Sequence, residues 1–114
     1  MKYKFNNIGG FVAKKDDRYV VKDNPFGKSL VLSSTHLFPN KETSGHHHKG
    51  QEEVYFFMHG VGKMQLDDEE IRVRKGDIIT IEDGVFHKVI NDSDDYLYFV
   101  CVFDGKRYDD RSDK

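Results

Sequence analysis

The fold is decided by the stretch Thr43-Ser44-Gly45-His46-His47-His48-Lys49-Gly50-Gln51-Glu52-Glu53-Val54-Tyr55-Phe56-Phe57-Met58-His59-Gly60-Val61-Gly62. It holds four of the six histidines of the chain. Side chains of an extended segment repeat every second residue, so the imidazoles of His46 and His48 project to one face. Glu53 opens the apolar run that follows, and two imidazoles with a carboxylate can hold one divalent ion. The stretch therefore predicts a metal site built from two extended segments.

Three consecutive histidines have a second interpretation, because a polar loop or a short His-rich tract can bind metal without a defined site. The second half of the chain favours the defined site. Residues 76–91 read Gly-Asp-Ile-Ile-Thr-Ile-Glu-Asp-Gly-Val-Phe-His-Lys-Val-Ile-Asn, which indicates a turn, an apolar strand, a second turn and a strand opened by a histidine. We assign the fourth metal donor to that histidine, His87.

The two stretches together resemble the paired motifs of the cupin superfamily. The first motif is Gly, five residues, His-x-His, three or four residues, Glu, six residues and Gly, and it fits residues 40–62 through His46, His48, Glu53 and Gly60. The second is Gly, five residues, Pro-x-Gly, two residues, His, three residues and Asn, and it fits residues 76–91 through Gly76, Gly84, His87 and Asn91.

Two positions depart from these motifs. Asn40 replaces the first glycine, and Glu82 replaces the proline. Asn tolerates the positive φ that a turn needs after Pro39, and Glu-Asp-Gly still forms a turn. Neither departure affects a proposed metal ligand.

The resemblance implies one all-β domain over residues 1–114, a double-stranded β-helix or jelly-roll barrel with its ligand pocket inside. Short strands separated by turn signals predict a sandwich or barrel independently. The resemblance also implies one divalent transition metal (iron, manganese, nickel, cobalt or zinc) held by His46, His48, Glu53 and His87.

A narrower resemblance concerns the reaction. Thr-x-Gly-His-x-His at residues 43–48, Glu-x-Tyr at 53–55 and Gly-x-Gly at 60–62 are similar to the signature of the cupin-type phosphoglucose isomerases of archaea. It implies a metal-dependent sugar or sugar-phosphate isomerase, in which Tyr55 lines the sugar site and Glu53 and Tyr55 are the candidate catalytic residues. A metal-dependent dioxygenase of a small molecule and a ligand-binding or sensing barrel without turnover are the alternatives.

Composition limits the partners. The chain has 18 basic and 20 acidic side chains and a net charge of −2, so charge gives no reason to expect binding to nucleic acid or to an anionic membrane. The N-terminal residues lack the apolar core of a signal peptide, and no apolar run is long enough to span a bilayer. Cys101, the single cysteine, lies in an apolar run and is expected to be a small buried side chain. We therefore expect a cytoplasmic protein with a small-molecule partner.

The remaining pattern predicts β-strands joined by turns. We expect residues 1–10 to form an edge strand or arm, whose exposed edge favours a homodimer, and residues 104–114 to form a polar tail. We expect a turn at residues 22–27, and either face of the strand at 29–38 could point inward. His47 is expected to face away from the metal, and His36 and His59 to lie at the surface. The predicted strands cover residues 11–13, 19–21, 29–38, 54–58, 63–66, 71–74, 78–81, 86–91 and 96–103.

Overall fold

The computed structural model describes residues 1–26, 28–47 and 50–104, and these ranges contain nine β-strands and no helix. A six-stranded sheet has the order β1-β2-β3-β9-β4-β7, and a three-stranded sheet has the order β6-β5-β8. All neighbouring strands are antiparallel. This is the expected double-stranded β-helix. The strands are β1 (Phe11–Lys15), β2 (Tyr19–Pro25), β3 (Leu30–Leu37), β4 (Glu53–His59), β5 (Val61–Leu66), β6 (Glu69–Arg74), β7 (Ile78–Ile81), β8 (His87–Ile90) and β9 (Leu97–Asp104).

The core lies on the inner faces of the strands, where alternate side chains are buried. On β3 the inner face carries Val31 and Leu37, at 1% and 0% exposure, which settles the choice that the sequence left open. Burial of each large aliphatic or aromatic side chain contributes about 1.5–3 kcal/mol. The core therefore has a source of stability that does not depend on metal. Its other large buried members include Phe57, Met64, Leu97, Phe99 and Phe103.

Two predicted turns are shorter than the sequence indicated. The prediction of a turn at residues 22–27 is wrong over its first part, because β2 continues to Pro25 and pairs with β3 along its whole length. Pairing with a neighbouring strand outweighs the local turn preference of these polar residues. The acidic hairpin turn contains only Asp67 and Asp68, since Leu66 already pairs with Glu69. Asp67 has a φ of 52°, the left-handed conformation that such a tight turn requires.

Residues 1–10 form an arm rather than an edge strand. Ile8 is 7% exposed and packs with Tyr98 and Val100 on the outer face of the six-stranded sheet. One edge of that sheet is β1, whose residues are all exposed, and the other edge is β7. The predicted tail lies outside the described residues apart from Asp104, which ends β9. In the part of the chain that the structure describes, no helix has the length and apolar character needed to cross a membrane.

Candidate metal centre

The segment that carries His46 docks along β8. The backbone N–H of Thr43 donates to the carbonyl of Val89 at 2.9 Å. His46 and His87 then exchange two backbone hydrogen bonds, of 3.2 and 2.9 Å. Residues paired in this way project to the same face of a sheet. The two imidazoles accordingly lie together, with ring centroids 4.5 Å apart.

The carboxylate comes from the opposite sheet. Glu53 is the first residue of β4, and its neighbours in the ladder are Ile81 and Phe103. Its side chain points inward and is only 5% exposed in the folded chain. One donor atom from each of His46, Glu53 and His87 lies within 4.8 Å of the other two, near enough to hold one metal ion. The site thus bridges the two sheets.

The orientation of the His87 ring is fixed by a hydrogen bond from one of its two nitrogens. Nδ1 lies 3.0 Å from the carbonyl oxygen of Val85, which can only accept a hydrogen bond, so Nδ1 is the donor. In the neutral ring Nε2 then carries the lone pair. Nε2 lies 2.9 Å from Glu53 Oε2, yet it is buried and makes no hydrogen bond with any residue that the structure describes. The distance between Nε2 and Oε2 is short enough for a hydrogen bond, so the angle between the two groups must be unsuitable. The two atoms therefore lie side by side.

This arrangement fits a metal ion. An oxygen and a nitrogen lone pair repel each other at such a distance unless positive charge lies between them. Adjacent ligands of a six-coordinate ion with bonds of about 2.1 Å lie about 3.0 Å apart. The observed separation of 2.9 Å between Nε2 and Oε2 agrees with that value. Two imidazoles with a carboxylate also suit first-row transition metals.

The other histidines lie where the sequence predicted, as far as the structure describes them. His48 lies outside the described residues, so its role as a ligand stays a prediction. His47 is exposed. His36 and His59 stack on Tyr96 outside the barrel, with ring centroids 4.4 and 4.0 Å from it.

Tyr55 lies beside the donor group on the inner face of β4. It is 7% exposed, its ring centroid is 6.0 Å from that of His87, and it stacks on Phe99 at 5.3 Å. Cys101 is opposite Tyr55 in the ladder and is 6% exposed, as expected for a small buried side chain. The Tyr55 phenol ring thus contacts the imidazole of His87 from the inner face of β4.

Polar side chains on the inner faces of β2 and β3 were missed by sequence reasoning. Asp23, Ser33 and Thr35 are 4%, 3% and 7% exposed and lie on the faces that carry the core residues of those strands. Asp23 is in phase with Tyr19 and Val21, which was the available signal. The turn predicted at residues 22–27 obscured it. The barrel interior is therefore partly polar.

The His46 segment is also held from outside. Arg18 donates to Ser44 Oγ at 3.1 Å and to Asp16, and the Arg18 hydrogen bonds lower the pKa of the Asp16 carboxyl to about 2. Gly45 packs directly against the ring of Phe86, in space that a Cβ would occupy. Glycine is therefore required here for close packing rather than for a special φ.

Asn91, the last residue of the second motif, has a structural role. It is 1% exposed, and its Nδ2 donates to the carbonyls of Leu37, Phe38 and Asp95 at 3.1, 3.1 and 2.8 Å. Its Oδ1 accepts from the backbone and hydroxyl of Ser93. The side chain thus fastens the end of β3, and the start of the His46 segment, to the loop before β9.

The cupin domain family model (Cupin_2) matches residues 34–103, which include both halves of the site. The chain belongs to the cupin family. A protein of Methanocaldococcus jannaschii, "Uncharacterized protein MJ1618", is 39% identical over an alignment of 94 residues that covers 73% of this chain and 75% of that protein. The oxalate-binding protein of Thermotoga maritima is 24% identical over 81 residues, 71% of this chain and 67% of that protein.

Solved structures share the cupin fold at low identity. KdgF from a Halomonas species has a TM-score of 0.77 and 17% identity, with 95% of this chain and 98% of that chain covered. TT1209 from Thermus thermophilus has a TM-score of 0.72 and 19% identity, with 82% and 90% covered. The polyketide cyclase RemF from Streptomyces resistomycificus has a TM-score of 0.69 and 20% identity, with 77% and 66% covered. This likeness concerns the fold alone.

Proposed function

We propose that this cupin binds one divalent transition metal and uses it to hold a small molecule through two adjacent oxygen atoms. His46, Glu53 and His87 are the ligands that geometry supports, and His48 is the fourth by its sequence spacing. The observation that carries the proposal is the separation of 2.9 Å between His87 Nε2 and Glu53 Oε2 without a hydrogen bond.

The donor set leaves room for such a ligand. Four protein ligands on a six-coordinate ion leave two neighbouring or opposed positions free. When bound, the metal would act as a Lewis acid that polarises the ligand's oxygens. The buried surroundings of Glu53 and His87, at 5% and 2% exposure, keep competing water away from them.

We propose isomerisation of a hydroxy-carbonyl compound, such as a sugar, as the reaction. In it a proton leaves one carbon and returns to its neighbour, while the hydroxyl proton moves to the former carbonyl oxygen, so no oxidant or reductant is consumed. Tyr55 is our candidate to donate or accept a proton, and its ring-centroid distance of 6.0 Å from His87 supports that choice. Ser33, Thr35 and Asp23 suit a substrate with several hydroxyl groups.

A second candidate function is binding of a small dicarboxylate without turnover. The relative named as an oxalate-binding protein, 24% identical to this chain, supports it. A dicarboxylate with adjacent oxygens would occupy the same two free positions, and no proton transfer would be needed. Tyr55 would then contribute a hydrogen bond and no chemistry.

The experiment uses protein loaded with each candidate metal under anaerobic conditions. Deuterium incorporation from solvent into aldoses and ketoses would be followed by NMR, and oxalate binding by calorimetry. Isomerisation predicts exchange at one carbon that Tyr55→Phe lowers by about 100-fold, within the usual range for a general acid or base. The matched control Tyr96→Phe should retain exchange, because Tyr96 lies outside the barrel, stacked on His36 and His59.

Each outcome separates the candidates. Oxalate binding without exchange on any sugar would favour the dicarboxylate function. Oxygen consumption when air is admitted with a substrate would point to a dioxygenase instead. Absence of stoichiometric metal in wild-type protein, after incubation with every candidate ion, would overturn the proposed metal site itself.

A further inference from the structure

A cavity lies on the outer face of the six-stranded sheet, on the opposite side from the metal donors. Its volume is about 260 Å³, and the N-terminal arm covers part of it. The strand residues around it alternate with the buried core residues of β2, β3 and β9, so they belong to the outer face. The lining residues are Asn6, Asn7, Val20, Lys22, Ser34, His36 and Tyr98.

Among the residues that the structure describes, the lining carries positive charge and hydrogen-bond donors but no carboxylate. Lys22 makes no ion pair with any residue in the described ranges. Asn7 accepts a hydrogen bond from the Gly9 N–H through Oδ1 at 3.2 Å, so its NH₂ group remains available to donate. Ser34 is 5% exposed and adds a buried hydroxyl. Such a surface suits an anion.

Tyr98 provides the independent sign that a ligand is missing. It is 8% exposed, and its hydroxyl is buried without a hydrogen bond to any part of the chain that the structure describes. Buried hydroxyl groups normally form a hydrogen bond within the protein, because otherwise they lose their hydrogen bonds to water without replacement. An oxygen atom of a ligand in the cavity would supply the partner.

We propose that this cavity binds a small organic anion through a single carboxylate or phosphate group. Lys22 pairs with the charge, Ser34 and Asn7 donate hydrogen bonds, and Tyr98 donates its hydroxyl proton to an anionic oxygen. At about 30 Å³ per water, the cavity has the volume of about nine waters. That space accommodates inorganic phosphate or a short carboxylic acid, not a nucleotide.

His36 offers a readout that is separate from the metal site. Burial lowers the pKa of the His36 imidazole. The positive charges of His59 and Lys22 lower this pKa further, whereas the negative charge of Asp95 raises it. The His36 ring also contacts the rings of Phe38, Tyr96 and Tyr98. An anion beside Lys22 would favour the protonated imidazole, so the pKa of His36 should rise when the cavity is filled.

The test is an NMR titration of the full chain with inorganic phosphate and, separately, with acetate, each up to about 10 mM, where a site of millimolar affinity saturates. The proposal expects saturable shifts of His36, Ser34 and Tyr98 and a rise in the His36 pKa. Tighter binding of one anion identifies the headgroup. The same shifts should occur in His87→Ala, which lacks a proposed metal ligand.

Substitutions distinguish a specific anion-binding site from nonspecific attraction of an anion to a lysine side chain. Lys22→Met should weaken binding about tenfold or more, which corresponds to about 1.4 kcal/mol. Tyr98→Phe should weaken it about threefold, and Lys75→Met, which removes an exposed charge elsewhere, should change it less than about twofold. Equal losses in Lys22→Met and Lys75→Met, or no saturable shift of His36 with either anion, would overturn the proposal. So would shifts that vanish in His87→Ala.

Discussion

His46 and His87 are joined backbone to backbone by hydrogen bonds of 3.2 and 2.9 Å, although they lie far apart in sequence. The same pairing that docks the His46 segment on β8 therefore sets the relative position of the two imidazoles. Glu53 reaches them from the opposite sheet, so the metal centre depends on the packing of the two sheets as well as on its donors.

Replacement of a described ligand should remove the metal while the barrel stays folded. We expect His87→Ala to lose more than about 100-fold in metal affinity, beyond the usual cost of altering a group that only supports a ligand. His47→Ala should retain the metal because His47 is exposed. Elemental analysis and circular dichroism of both variants measure the two effects. Retention of metal by His87→Ala would refute the site, and His48→Ala in the same series tests the fourth ligand.

Glu53→Gln should have opposite effects on the two forms of the protein. With metal it should weaken binding, since the neutral amide is a poorer ligand than a carboxylate. Without metal it should raise the thermal midpoint, because the NH₂ group of glutamine can donate to the His87 ring nitrogen that lies 2.9 Å from Glu53 Oε2, whereas a carboxylate cannot. Scanning calorimetry with added metal and with chelator separates the effects. A fall of the midpoint under both conditions would show that Glu53 serves the fold and not a metal.

Local periodicity predicted part of the site well. Alternation places every second residue of a strand on one face, and Glu53, Tyr55 and Phe57 are all buried on the inner face of β4. The positive φ expected at Asn40 is also observed, at 59°. These features depend on neighbouring residues alone, so a single sequence contains the information.

Long-range pairing could not be predicted in the same way. Residues 39–45 were interpreted as a loop, and their docking along β8 depends on a partner in the second half of the chain. The inward orientation of Asp23 was not predicted, because residues 22–27 carry a local turn signal. Pairing of β2 with β3 overrides that signal. The outer cavity combines the N-terminal arm with residues of β2, β3 and β9. No pattern within one segment indicates such a combination.

Gly45→Ala should damage the metal site through packing alone. An added Cβ overlaps the Phe86 ring, so either the ring or the His46 segment must move. We expect a loss of about 1–3 kcal/mol in unfolding free energy, as for other overpacked sites, and weaker metal binding. Phe86→Leu in the same chain should restore much of both, because the smaller side chain makes room. Additive losses in the double variant would refute the packing argument; urea unfolding and metal titration measure them.

Asn91→Ala should lower stability more than it lowers metal affinity. It removes the donor that three backbone carbonyls share, at Leu37, Phe38 and Asp95. Buried polar groups left unpaired cost about 1–3 kcal/mol each, so a loss of several kcal/mol is expected. Asn40→Gly is the matched control, since glycine accepts the φ of 59° and should change little. Urea unfolding of the metal-free variants measures their unfolding free energies. A loss below about 1 kcal/mol in Asn91→Ala would contradict the structural role of Asn91.

The contact between Asp16 and Arg18 should make stability depend on pH in acid. Hydrogen bonds from Arg18 lower the pKa of Asp16 from 3.8 to about 2 in the folded chain. A carboxyl with a depressed folded pKa stabilises the fold above its unfolded pKa, and that contribution disappears as the pH falls through the folded value. The wild type should therefore exceed Asp16→Asn in urea midpoint at neutral pH, and the difference should shrink between pH 3.8 and about 2. Asp17→Asn makes the same change in charge without these hydrogen bonds to Arg18. If Asp17→Asn shows the same pH-dependent difference, net charge rather than the Asp16 contact is responsible.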